Sequence, residues 1–140
     1  MQNIKAIIFD LGGVLLNIDY KKVSDAFKAL EVAKFDELYS QSTADHLFEN
    51  LEVGKISEEE FCHYIKKHTN KEITNEDIIQ AWNSILLDFR KESLDYLLAL
   101  KKKYKLFLLS NTNIIHFNAF NKIFDLTISK NSFNSLFPFP

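Results

Sequence analysis

The sequence predicts an α/β fold, a parallel sheet interrupted by a long helical insert. Three observations carry that expectation. Two short apolar runs, Ile4-Lys5-Ala6-Ile7-Ile8-Phe9 and Leu106-Phe107-Leu108-Leu109, stop abruptly at polar residues, as strands buried in a parallel sheet do. Almost a hundred residues between them carry apolar positions at helical spacing and helix caps. Breakers are scarce, with 3 glycines and 2 prolines in 140 residues, and both prolines, Pro138 and Pro140, fall in the last three positions. Strand, helical insert, helix, strand, helix, strand is an α/β order.

Taken in order, the first run reads as a strand buried on both faces, closed by Asp10 and followed by Gly12 and Gly13. Residues 19–30 form a helix, with Asp19 as its N-cap and Val23, Phe27 and Leu30 on one face. Gly54 ends a further helix. Ser57-Glu58-Glu59-Glu60 is a capping box, opening a helix that carries Phe61, Tyr64 and Ile65. Thr74-Asn75-Glu76-Asp77 opens the next, with Ile78, Ala81, Trp82 and Ile85 on one face. Residues 92–103 form a helix with Leu94, Leu97 and Leu98 inward; its Lys101-Lys102-Lys103 end complements the helix dipole. The second strand then stops at Ser110-Asn111-Thr112-Asn113. Phe117, Phe120, Ile123 and Phe124 make a helical core stripe, and Leu126-Thr127-Ile128-Ser129 reads as a weak third strand. The insert, residues 17–88, is too long for one crossover and forms its own helical subdomain.

Composition narrows the function classes. Apolar residues make up 46% and charged residues 26%, an ordinary globular balance that excludes a disordered tail and a collagen-like fibre. The apolar runs fall far short of the roughly 18–20 residues of a spanning helix, and Met1-Gln2-Asn3-Ile4-Lys5 is no signal peptide. Neither a membrane nor, at a net charge of −2, nucleic acid is an expected partner. Cys62 stands alone, which precludes an intrachain disulfide and fits a reducing cytoplasm. There is no dinucleotide fingerprint and no P-loop.

In an open parallel sheet, ligands bind outside the carboxyl ends of the strands. The two best strands end in Asp10 and in Ser110-Asn111, so a carboxylate and a hydroxyl are expected in one crevice. Gly12 and Gly13 allow close backbone approach or unusual dihedrals, and the amides after Ser110 suit an anion.

Phe9-Asp10-Leu11-Gly12-Gly13-Val14-Leu15 and Leu108-Leu109-Ser110-Asn111-Thr112-Asn113 resemble the first and second motifs of the haloacid dehalogenase-like (HAD) hydrolases. The match is closer to the phosphatase branch, which has a small helical cap after its first strand. Gly54-Lys55-Ile56-Ser57-Glu58-Glu59-Glu60-Phe61 and Trp82-Asn83 also look like features of that cap. The resemblance implies a Rossmann-like core over residues 1–16 and 89–140, partial at its C-terminus, and a cap over 17–88. It implies an Mg²⁺-dependent phosphatase of a small phosphorylated metabolite, working through a phospho-aspartate. Asp10 matches the catalytic nucleophile. Asp10 and the Gly12 carbonyl match two ligands of the Mg²⁺, and Ser110 and Asn111 match the phosphate-binding pair.

The chain departs from that pattern twice. Many members carry a second aspartate, a general acid and base, at the position of Gly12. The family's third motif, a lysine, is expected near residues 134–137, where the chain reads Asn134-Ser135-Leu136-Phe137; Lys130 lies several positions too early. The acidic pair of the fourth motif has no residues to occupy. A truncated or frameshifted chain accounts for this ending, with an exposed sheet edge as its consequence. A catalytically inactive remnant or binding protein is the alternative, and dehalogenation of a small acid a weaker one. Asp19 as a substitute acid, a Cys62–His63–His68 site and His116 overhanging a substrate are each outweighed by structural readings. Substrate identity and oligomeric state are not encoded legibly.

Overall fold

The computed structural model describes residues 4–40, 46–127 and 136–137. Its elements, in chain order, are β1 (Ala6–Phe9), β2 (Leu16–Ile18), α1 (Tyr20–Ala29), α2 (Phe35–Ser40), α3 (Leu47–Glu52), α4 (Glu58–Lys66), α5 (Asn75–Asn83), β3 (Leu86–Phe89), α6 (Lys91–Lys101), β4 (Lys105–Leu108) and α7 (Ile114–Thr127). They fall into two compact units.

One unit comprises Met1–Ile18, Leu86–Asn111 and Ala119–Pro140. Its centre is the parallel pair β1–β4, in register from Ala6 opposite Lys105 to Phe9 opposite Leu108. The ladder runs past the strand ends, with the Leu109 amide donating to the Phe9 carbonyl at 2.8 Å. β2 and β3 form an antiparallel pair, irregular between Leu16 and Ile18. Neither was expected; at three and four residues they are too short for period-two alternation to stand out. Leu11, Leu15, Leu16, Leu94, Leu97, Leu106, Phe120 and Phe124 are buried, and Phe89 meets Phe124 edge-on at 5.1 Å.

The expectation of strands buried on both faces is corrected. Ile8 is 65% exposed and Phe107 42%, while Leu106 is 4% exposed. β1 alternates between exposed and half-buried positions. Among the described residues this sheet has two strands, one face of which is covered, and alternation is what a one-sided sheet shows. The third strand is also corrected where it can be seen: Leu126 and Thr127 are the last residues of α7, and Ile128 and Ser129 lie outside the described residues. So do Lys130, Asn134, Ser135, Pro138 and Pro140. Leu136 and Phe137, at positions where a lysine was expected, are buried apolar residues.

The second unit comprises Asp19–Ile85 and Thr112–Asn118. Three of its helices, α1, α4 and α5, start where the caps dictate. Asp19 accepts from the Lys21 amide at 2.9 Å, and Ser57/Glu60 and Thr74/Asp77 each close a reciprocal capping box. α3 ends at Glu52 with Val53 as its C-cap, and Gly54 follows with φ +71, the left-handed position that glycine takes most readily. The core is aromatic. Phe27 stacks on Phe35 at 4.0 Å, and Trp82 is surrounded by Tyr39, Phe48 and Phe61 at 5.6, 5.1 and 5.6 Å.

Candidate active site

The parallel register puts Asp10 and Ser110 beyond the same end of the β1–β4 pair. Phe9 faces Leu108, so Asp10 and Leu109 are the next residues on neighbouring strands, and Ser110 follows at once. Both side chains therefore leave the same end of the same strand pair, the end at which α/β sheets bind ligands. The exposed carboxylate of Asp10 is oriented locally, because its Oδ1 accepts from the Leu11 amide at 2.7 Å. Ser110 is half-buried and Asn111 exposed.

The chain beyond Asp10 turns sharply. The Leu11 carbonyl accepts from the amides of Val14, Leu15 and Leu16 at 3.2, 2.9 and 3.0 Å, and the Gly13 amide donates to the Leu16 carbonyl at 2.8 Å. Gly13 has φ +75, where an L side chain is strained. Gly12 differs: a Cβ there would meet Ile18 Cδ1 at 3.5 Å, an ordinary contact. The two bonds that pair Gly12 with Leu16 run through the Leu11 carbonyl and the Gly13 amide, so the turn does not use the Gly12 carbonyl.

Asp19 is the N-cap of α1, as expected, with its Oδ1 engaged. Asn17 joins a small polar network that sequence reading missed: its Nδ2 donates to Asp88 at 3.1 Å, and Arg90 Nε donates to its Oδ1 at 2.7 Å. Residues 71 and 73 positions away in sequence leave no local signal of such a contact.

In the helical unit, His116 lies at the start of α7. Its ring stacks on Trp82 at 4.8 Å and 18°, its Nδ1 is 3.0 Å from Asn83 Oδ1, and its amide donates to Asn113 Oδ1 at 3.0 Å. Burial lowers its pKa to about 4, so the ring is neutral near pH 7. His68, just past the end of α4, is bound to that helix through the Tyr64 carbonyl, His63 is exposed, and burial pushes the Cys62 thiol up to about 11. These three form no site, and the described residues hold no cluster of three metal-ligating side chains. A groove of about 500 Å³ in this unit is lined by Leu47, Asn50, Ile56, Glu59, His63 and Lys67, among others. No helix of the described residues is long and apolar enough to cross a membrane.

No family model matches the chain. It is 39% identical over 110 residues to a D-ribitol-5-phosphate phosphatase of Bacteroides thetaiotaomicron, covering 79% of this chain and 53% of that protein. The chain thus spans about half the length of this curated relative. A HAD family enzyme of the same organism superposes with a TM-score of 0.89 at 34% identity, over 98% of this chain and 67% of the other. The same enzyme in complex with magnesium and inorganic phosphate gives 0.79 at 38%, over 86% and 59%. On that shared sequence and on a mixed α/β structure with a parallel strand pair, the chain belongs to the haloacid dehalogenase-like (HAD) family.

Proposed function

We propose that the chain carries the nucleophile and the phosphate-binding group of an Mg²⁺-dependent phosphoric monoester hydrolase. The observation that supports this most is the parallel pairing of β1 and β4, whose carboxyl ends lead directly into Asp10 and, one residue past Leu109, Ser110. Residues 1–16 and 89–140 are its core and residues 17–88 its substrate-selecting cap. The substrate is a small phosphorylated metabolite, and the relative that acts on ribitol 5-phosphate makes phosphorylated polyols the class to test first. A cytoplasmic location, with Cys62 reduced, belongs to the same reading.

An Asp10 carboxylate oxygen attacks phosphorus, the ester P–O bond breaks, and the departing alkoxide takes its proton from water, since Gly12 has no side chain to give one. The Ser110 hydroxyl and the Asn111 amide donate to the phosphoryl oxygens, placing them for in-line transfer. Water then attacks the phospho-aspartate, its proton passing to solvent. The bond from phosphorus to Asp10 breaks and inorganic phosphate leaves.

The donor chemistry suits Mg²⁺, which takes hard oxygen ligands from one or two carboxylates and keeps several waters. The Asp10 carboxylate and the Gly12 carbonyl are oxygens of that kind. When bound, the ion supplies charge neutralisation at the phosphoryl oxygens.

Purified 140-residue chain, Mg²⁺ and a panel of phosphorylated polyols test the reading. Asp10→Asn should abolish turnover, and unchanged activity refutes the assignment. A second reading, phosphate binding without turnover, draws support from the buried Leu136 and Phe137 where a lysine was expected. Robust turnover by the wild-type chain dismisses it.

A further inference from the structure

The side chains of β1 and β4 share one register and so alternate together between two faces of the sheet. On one face Leu106 is buried, and Ile7, Phe9 and Leu108 are half-buried. On the other, Ile8 stands opposite Phe107 and Ala6 opposite Lys105, and all of these are exposed. The ladder carries this face past the strand ends. The Lys105 amide donates to the Lys5 carbonyl at 3.1 Å, and the Leu109 amide to the Phe9 carbonyl. Leu109 is in phase with Phe107 and Ile4 with Ala6, and both are exposed, Ile4 at 62%. Apolar side chains scattered singly are ordinary on a protein surface. Ile4, Ala6, Ile8, Phe107 and Leu109 are instead contiguous, on strands roughly 4.8 Å apart, and a contiguous apolar patch marks an interaction surface.

Parallel strands rarely leave a face bare, because their crossover connections lay helices on both sides of the sheet. Face-to-face packing of two sheets is the habit of antiparallel sandwiches, so a helix suits this face better than a second copy of the chain. A solved relative contains the chain to supply one. The HAD family enzyme of Bacteroides thetaiotaomicron matches 98% of these residues with 67% of its own, so about a third of it has no counterpart here. Lys105, at the margin of the patch, is exposed and makes no ion pair with the described residues. We propose that the Ile8–Phe107–Leu109 face docks a separate polypeptide with the chemistry of that unmatched third. An amphipathic helix of this partner lays its apolar stripe across the patch and sets a carboxylate against Lys105. The surface belongs wholly to the unit that contains β1 and β4, and it is independent of the roles given to Asp10 and Ser110.

The test co-expresses the full 140-residue chain with the unmatched third of that enzyme, made as a separate polypeptide. Sedimentation equilibrium gives the mass and affinity of the complex, and photochemical carbene labelling reports which side chains it covers. An equimolar complex is expected. In it Ile8, Phe107 and Leu109 should lose their labelling, while Tyr20 and Val53, exposed in the other unit, keep theirs. Ile8→Lys and Leu109→Lys each place a charge within the patch and should weaken binding at least about 10-fold. Melting curves of each variant alone show that it folds, and either variant suffices if the other does not. Lys105→Glu should weaken binding about 3-fold at low salt, and wild-type affinity in it overturns the carboxylate contact. Wild-type affinity in the Ile8 and Leu109 variants overturns the docking surface. So does the absence of a complex, or a complex in which Ile8, Phe107 and Leu109 stay labelled. If the chain alone forms a dimer that hides the same residues, the occupant is a second copy and the proposal fails.

Discussion

Gly12 has room for a side chain, and that turns a departure from the family pattern into an experiment. Its Cβ would meet Ile18 Cδ1 at 3.5 Å and Cγ2 at 3.9 Å, with no left-handed φ to strain it. Gly12→Asp should therefore fold. If proton transfer limits turnover, it should raise the rate, general acid–base groups being worth about 10²–10⁴-fold; a phosphatase assay with matched melting curves checks this. Asp10→Asn should melt as the wild type does, because the Asp10 side chain is exposed, while losing all turnover. His116 gives a pH dependence whose sign is fixed. The unfolded ring takes a proton near pH 6.5 and the folded ring only near pH 4. Stability is therefore fully present above pH 6.5 and falls as pH drops from there towards 4, by roughly 3 kcal/mol over the window. Urea titrations at pH 7, 5.5 and 4.5 measure it, and the slope should flatten in His116→Leu. The ends of β1 at Phe9 and β4 at Leu108 were legible in the sequence, because each apolar run breaks off abruptly into polar residues. The His116–Asn83 pairing was not, since 33 residues separate the partners and only tertiary packing joins them.

Helix boundaries were the most legible elements, because a cap is a local device whose donor and acceptor lie three residues apart. Ser57 and Glu60 satisfy each other's backbone amides at 3.1 and 2.7 Å, as their spacing requires. Ser57→Ala should cost about 1 kcal/mol, read as a shift of a few degrees in thermal melting; an unchanged midpoint refutes the cap's contribution. The hydrogen bonds of that box also hold the Glu60 carboxyl below the usual range, so its contribution is lost as pH falls through the carboxylate region. Strands were less legible. The apolar runs at β1 and β4 reveal strands but not which faces are covered, which neighbours decide. Leu126-Thr127 was misread because two residues cannot distinguish a strand from the last turn of a helix.

Across the whole molecule, apolar side chains are unequally used. Phe27 is fully buried between Phe35 and Trp82, whereas Ile8 and Leu109 are 65% and 73% exposed. Phe27→Ala should cost about 3–5 kcal/mol through lost transfer energy and the cavity left behind. Ile8→Thr should change stability by less than about 0.5 kcal/mol. Chemical denaturation of both variants tests the contrast, and equal losses would contradict the burial pattern. The α/β class followed from order alone, whereas the one-sided β1–β4 sheet did not, because a sequence of apolar residues does not state what lies against them.

The chain has a single tryptophan, and it lies within the aromatic core with an imidazole flat against it. That gives the molecule a built-in optical gauge. Its indole emission comes from one place in the helical unit and reports when the rings around it separate. A neutral imidazole quenches indole weakly and its cation strongly, so the emission also registers the arrival of a proton on the neighbouring ring.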